Sequence, residues 1–150
     1  MRGLYRTAAL IAAVLLAPSA AQAAGCTIST TSIDFGAYNV FSSGPTDSTA
    51  TMTYRCSGNA AVAISITRGQ SDTFNPRIMA KGTEHLGYNL YLDSSQSTVW
   101  GETSSGTESY YDSRAPNNKS VTVTVFGRIP AGQDVSAGSY SDSVVAVVLF

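Results

Sequence analysis

Two cysteines, Cys26 and Cys56, and a single histidine, His85, are the residues of this chain best suited to covalent, metal or proton-transfer chemistry. A Ser-His-Asp or Cys-His apparatus has to use His85, which sits in Gly82-Thr83-Glu84-His85-Leu86 just before an alternating run. No nucleophile or orienting acid stands at a spacing that would recruit it, so it reads as a surface or edge histidine. The cysteines lack the C-x-x-C spacing of a metal or redox pair. The acids Asp34, Asp47, Asp72, Glu84, Asp93, Glu102, Glu108, Asp112, Asp134 and Asp142 are scattered. They form no D-x-D-x-D calcium loop, and a glycosidase would need two of them facing each other across a cleft. The glycines of Gly127-Arg128-Ile129-Pro130-Ala131-Gly132-Gln133 have neither P-loop spacing nor a following helix, and read as a turn between strands. Asn118-Lys119-Ser120 matches a glycosylation acceptor, which behind a bacterial-looking export signal is treated as chance. The residues therefore point to a protein that is not an enzyme, with no catalytic site, metal site or cofactor.

The start of the chain explains what the cysteines do. Arg2 and Arg6 are followed by an apolar run over residues 8–17, broken by Pro18 and Ser19, and then by Ala21-Gln22-Ala23. A positive start, an apolar stretch of about ten residues and a small-x-small site make an export signal. The run falls short of the roughly 20 residues that a membrane anchor needs. The expected signal is 1–23, cut before Ala24, and the expected domain is 24–150, with no membrane span after cleavage. In an oxidising compartment two cysteines read as a disulfide, Cys26–Cys56. Closing a loop of that length contributes roughly 3.5 kcal/mol in the chain-entropy picture. Losing Arg2 and Arg6 leaves seven basic residues against ten acidic ones, a net charge of −3. No like-charge run exists, so nucleic acid and anionic membrane are excluded as partners.

The elements that must carry these residues have a period of two. Met52 and Tyr54 alternate with Thr51, Thr53 and Arg55. Val62, Ile64 and Ile66 alternate with smaller or polar residues, as do Tyr88, Leu90 and Leu92, and Val121, Val123 and Val125. Such alternation makes antiparallel strands with one face on a core. The run 143–150 is apolar almost throughout and reads as a strand buried on both faces. Ser43-Gly44-Pro45, Ser57-Gly58-Asn59, Asn75-Pro76 and Pro130-Ala131-Gly132 are among the turns. The polar stretch 94–109 reads as a surface connection with Trp100 as a pin into the core. Six or seven short strands with frequent turns imply an immunoglobulin-like antiparallel β-sandwich.

Several stretches then stand out together. They are Cys26, Ile33-Asp34-Phe35-Gly36-Ala37-Tyr38, Tyr54-Arg55-Cys56, Arg77-Ile78-Met79 and Leu86-Gly87-Tyr88-Asn89-Leu90-Tyr91-Leu92-Asp93, followed by Trp100-Gly101. After them come Val125-Phe126-Gly127-Arg128-Ile129-Pro130-Ala131-Gly132-Gln133, Gly138-Ser139-Tyr140-Ser141-Asp142 and the apolar run ending in Phe150. In this order the chain resembles the spore coat protein U family, related to the pilins of archaic chaperone–usher pili. The resemblance implies a sandwich that lacks its final strand. A periplasmic pilus chaperone would lend that strand, and at the outer-membrane usher a neighbouring pilin subunit would replace it. The implied groove residues are Val144, Val145, Val147, Val148, Leu149 and Phe150. Their two faces are Val145, Val147 and Leu149 on one side, and Val144, Val148 and Phe150 on the other. A polymerising pilin gives a strand from an extension before its first cysteine, and after the expected cut only Ala24 and Gly25 would precede Cys26. The expectation is therefore an accessory or terminal subunit, exported through the periplasm to a pilus or cell surface. A self-sufficient spore-coat or matrix protein is the alternative. So is an adhesin module binding carbohydrate through Tyr110, Tyr111 and Trp100.

Overall fold

The protein is described here by a computed structural model covering residues 25–103 and 106–150; the expected signal 1–23 and Ala24 lie outside the described residues. Strand β2 (Thr46–Cys56) shows how the two-residue period becomes architecture. Its Ala50, Met52, Tyr54 and Cys56 are buried, while between them Thr51 and Arg55 are exposed and Thr53 is half-buried. It is flanked by β1 (Cys26–Thr30) and β7 (Ser120–Ile129), and the sheet continues through β5 (Glu84–Tyr91) to β4 (Arg77–Lys81). A second sheet has the order β6 (Tyr110–Asp112), β3 (Val62–Ile66), β8 (Ala146–Leu149). Every pairing between these strands is antiparallel. The eight strands among the described residues are slightly more than the sequence implied, and the all-β fold is as expected.

The core lies between the sheets, where Val62, Ile64 and Ile66 meet Met52, Tyr54, Leu86, Tyr88, Leu90, Val125 and Ile129. Each such side chain contributes about 1.5–3 kcal/mol by leaving water. Trp100 is fully buried and its Nε1 donates to the Ile64 carbonyl at 2.8 Å, so the polar connection is pinned as expected. Arg77 is also fully buried. Its guanidinium donates to the carbonyls of Thr67 (3.0 Å), Ile66 (3.2 Å) and Trp100 (2.6 Å) and to Asn89 Oδ1 (2.7 Å). Backbone carbonyls and the Asn89 amide oxygen, rather than a directly bonded carboxylate, offset the cost of its burial.

Two sequence expectations change. The stretch Gly127-Arg128-Ile129 is not a turn but the end of β7, and the chain turns only at Pro130. A Cβ on Gly127 would fall 2.4 Å from Ile33 Cδ1 and 2.8 Å from Phe35 Cζ, so glycine is there to let those side chains approach the strand. The terminal run is not buried on both faces: in β8 half-buried and exposed residues alternate. An edge strand has a sheet neighbour on one side and a core on one face, so apolar composition overstated its burial.

The outer face of the large sheet is a field of hydroxyls. Register places Ser29, Thr53 and Thr122 in one row and Thr51 opposite Thr124 in the next. Thr31 joins that second row by donating its backbone N–H to the Thr51 carbonyl at 2.9 Å. Thr27, Thr49 and Ser120 extend the field. Thr is favoured here as the polar side chain best suited to a pleated sheet.

Candidate functional site

A long concave feature follows the gap between the two sheets. Ala50 and Met52 of β2, Val125 of β7, Tyr88 and Leu90 of β5 and Ile66 of β3 form its apolar floor. One wall is the segment 30–35, and the other is 140–146 leading into β8. This part holds about 400 Å³. A second lobe of about 800 Å³ continues beneath residues 32–41 and 135–140, and shares Ile33, Phe35, Met79 and Tyr140 with the first. The result is one long channel, the shape of an extended chain rather than of a compact small molecule.

The wall that leads into β8 ends in unpaired backbone, and across the gap β1 is the outermost strand of its sheet. Thr67 N–H donates to the Val145 carbonyl at 2.9 Å, and β3 pairs onward as Ser65 with Val147 and Ala63 with Leu149. Antiparallel ladders alternate hydrogen-bonded and non-hydrogen-bonded pairs. The N–H and C=O of Ala146 and Val148 therefore point away from β3, and among the described residues no strand pairs with that edge. Across the gap, Ile28 is the register partner of the buried Tyr54 and so faces inward, yet it is 37% exposed. An inward isoleucine in water marks the place where the sandwich is uncovered.

The walls are fastened by polar contacts. Asp142 accepts from the Tyr88 hydroxyl (2.7 Å), from Gln70 N–H (3.0 Å) and from Ser143 N–H (2.8 Å). Burial, and then the bond to Asp142, push the Tyr88 phenol well above its usual range, so it stays a donor. Glu84 accepts from Ser136 and Tyr140, and pairs with Lys81 at 3.2 Å. Those hydrogen bonds, Ser136 first, hold its carboxyl down at about 2. Tyr38 donates to the Pro130 carbonyl (3.0 Å) and accepts from Gln133 N–H (2.9 Å), fastening the 32–41 segment to the turn after β7. The Cys26–Cys56 disulfide ties the start of β1 to the end of β2, as the sequence implied.

The residues singled out from the sequence divide by face. Val144 lines the channel, and Val148 is half-buried with its side chain against the core. Val145, Val147 and Leu149 are 60%, 44% and 64% exposed on the outer face of β8, and Phe150 beyond it is 58% exposed. The floor and the 30–35 wall carry no local sequence signal of a groove, although Ile33-Asp34-Phe35 is among the stretches that carry the family resemblance. Trp100 cannot be a stacking face for sugar, because it is fully buried; of its two companions Tyr110 is half-buried and only Tyr111 is exposed. His85 is exposed and lies at a surface pocket that Glu84, Asp134 and Ser136 also line. Among the described residues no group of three His, Cys, Asp or Glu is placed to hold a metal, and no helix is long and apolar enough to cross a membrane.

A sequence profile of the Spore Coat Protein U domain matches residues 11–147. The chain belongs to this family. The Spore Coat Protein U domain match covers all eight strands up to the middle of β8. Protein U of Myxococcus xanthus is 38% identical over 71 residues, which are 47% of this chain and 37% of that protein. Among solved structures, the chain is similar to one in the CsuC–CsuE chaperone–tip adhesion subunit pre-assembly complex from the archaic chaperone–usher Csu pili of Acinetobacter baumannii. The TM-score is 0.59 at 25% identity, covering 85% of this chain and 40% of that one. The chain thus spans well under half the length of either relative. Family and fold are those of structural pilus and coat proteins.

Proposed function

We propose that this Spore Coat Protein U domain is a strand-accepting subunit of a bacterial surface assembly. The carrying observation is the long apolar channel with the unpaired edge of β8 along one wall. A strand laid in it would hydrogen-bond to Ala146 and Val148 and bury alternate side chains over Met52, Ile66, Leu90 and Val125. Four or five large side chains at about 2 kcal/mol each would contribute on the order of 10 kcal/mol before ordering costs. An open edge beside an apolar channel is also an aggregation hazard unless covered. The partners this implies are a periplasmic pilus chaperone, then an outer-membrane usher and neighbouring pilin subunits, with export through the periplasm to the cell surface.

Amide hydrogen exchange tests the acceptor role. In the periplasmic complex the Ala146 and Val148 amides should exchange slowly, and after the chain is released from its partner they should exchange fast. Equal protection in both states contradicts it. The finer assignment, an accessory or terminal subunit, stands with the cut expected before Ala24. A mature mass beginning there supports it, and a start that leaves a strand-length extension before Cys26 contradicts it.

A further inference from the structure

We infer that the second lobe of the channel is an aromatic socket, and that the partner which supplies the strand carries a bulky aromatic side chain to fill it. The inference rests on the strand-acceptor reading and names what the accepted strand must bring. Ladder pairing belongs to the first lobe, where the free edge of β8 begins at Ala146. The segments 32–41 and 135–140 that wall the second lobe are irregular. Their polar groups are engaged in local ties. Lys81 Nζ donates to the Ala137 carbonyl (2.8 Å), Tyr140 Oη to the Ser136 carbonyl (3.1 Å) and Gly36 N–H to Asp34 Oδ1 (2.8 Å). When a strand is added to a sheet edge, main-chain bonds give affinity and side-chain pockets give specificity. The second lobe is built as such a pocket.

The lining selects the side chain. Four aromatic residues, Phe35, Tyr38, Phe41 and Tyr140, line this lobe of about 800 Å³ together with the thioether of Met79. Three of the rings are held from outside the lobe. Phe35 meets Tyr88 edge to face at 5.9 Å, and Tyr38 is hydrogen-bonded to Pro130 and Gln133. Tyr140 donates to Glu84, and its ring lies 5.5 Å from Lys81 Nζ. A ring entering among them finds aromatic partners and a polarisable sulfur already in position, so little ordering opposes its binding. Leucine would occupy part of the space without the ring contacts. Phe41 differs from the other three. It is 93% exposed, on a turn where its N–H donates to Asn39 Oδ1 (3.0 Å). It carries the aromatic lining out into water, and a ring seated in the lobe would cover it. Two channel features thus have separate tasks: the edge of β8 takes the strand's backbone, and the socket reads one of its side chains.

The test is strand exchange on the full chain purified in its periplasmic complex. Soluble peptides of alternating Val and Thr carry one guest residue, Trp, Leu or Ala, near one end in a first set and near the other end in a second. In one of the sets the Trp peptide should displace the partner about tenfold more effectively than the Ala peptide, with Leu between them. Phe41→Ala removes an exposed side chain, and Ala37→Trp brings a ring to the lobe from an exposed lining position. Each should remove most of the Trp preference and leave capture of the Ala peptide as in the wild type. Equal capture of the three guests in both sets overturns the socket and leaves strand acceptance standing. Capture of none overturns both. A Trp preference that neither variant changes overturns the assignment to this lobe.

Discussion

The Tyr88 hydroxyl donates a 2.7 Å hydrogen bond to Asp142, joining the buried middle of β5 to the segment that delivers β8 to the channel. Because Tyr88 is buried, its donor has no water to turn to if the carboxylate is removed. Asp142→Ala should therefore lower stability by about 1–3 kcal/mol, read as a fall in the urea midpoint of the partner-bound chain. Asp142→Asn keeps an acceptor and should recover part of the loss. An unchanged midpoint for the alanine variant would show that the contact fastens nothing.

Arg77 makes a harder demand. Its planar fork reaches three carbonyls and one amide oxygen from a site with no exposure. A lysine has three donors on a point-like head and cannot span those directions. Arg77→Lys is expected to cost about 2–4 kcal/mol in chemical unfolding of the partner-bound chain, since buried carbonyls lose their partners. If lysine is tolerated within experimental error, the carbonyls have another source of hydrogen bonds.

Acid should loosen the wall at Tyr140. Glu84 titrates at about 2 in the folded chain, against about 4.5 when unfolded, because Ser136, Tyr140 and Lys81 favour its charged form. A depressed carboxylate adds stability above its unfolded value and loses it as pH falls through the folded one. Between pH 5 and pH 2 the wild-type chain should thus lose more stability than Glu84→Gln, which has no charge to lose. The site is exposed, so the difference should shrink as salt is raised. Parallel pH profiles for the two proteins would remove Glu84 from the account.

Gly127 sets how closely the 31–40 segment packs. Any side chain there meets Ile33 and Phe35 well inside contact distance. Gly127→Val should destabilise by about 1–3 kcal/mol through overpacking, and should weaken partner capture by displacing the channel wall. Wild-type stability together with wild-type capture would mean that the wall is free to move.

Much of the fold was legible because period-two patterns name the inward face of a strand, and Met52, Tyr54, Ile64, Leu90 and Val125 point where they imply. The Cys26–Cys56 bond and the Trp100 pin were legible for similar local reasons, an oxidising compartment and a lone aromatic in a polar stretch. The channel was not. Periodicity says which face turns inward but not what covers it, so the contribution of Ile66, Tyr88 and Ile33 to one floor and wall appears only when five strands are assembled. In β8 apolar residues occupy both faces, the period disappears, and Val145, Val147 and Leu149 could not be separated from Val144 and Val148 as to which side meets the core. Arg77 looks like a surface charge in sequence, since nothing local announces three carbonyls converging on it.

The most direct test of the strand-acceptor account is native mass spectrometry of the chain drawn from the periplasm, untagged at its C-terminus. The account predicts a one-to-one complex with a chaperone-sized partner, and loss of a cooperatively folded state when that partner is stripped away. A lone monomer that unfolds cooperatively, with the Ala146 and Val148 amides already protected, would contradict it and leave a self-sufficient coat protein.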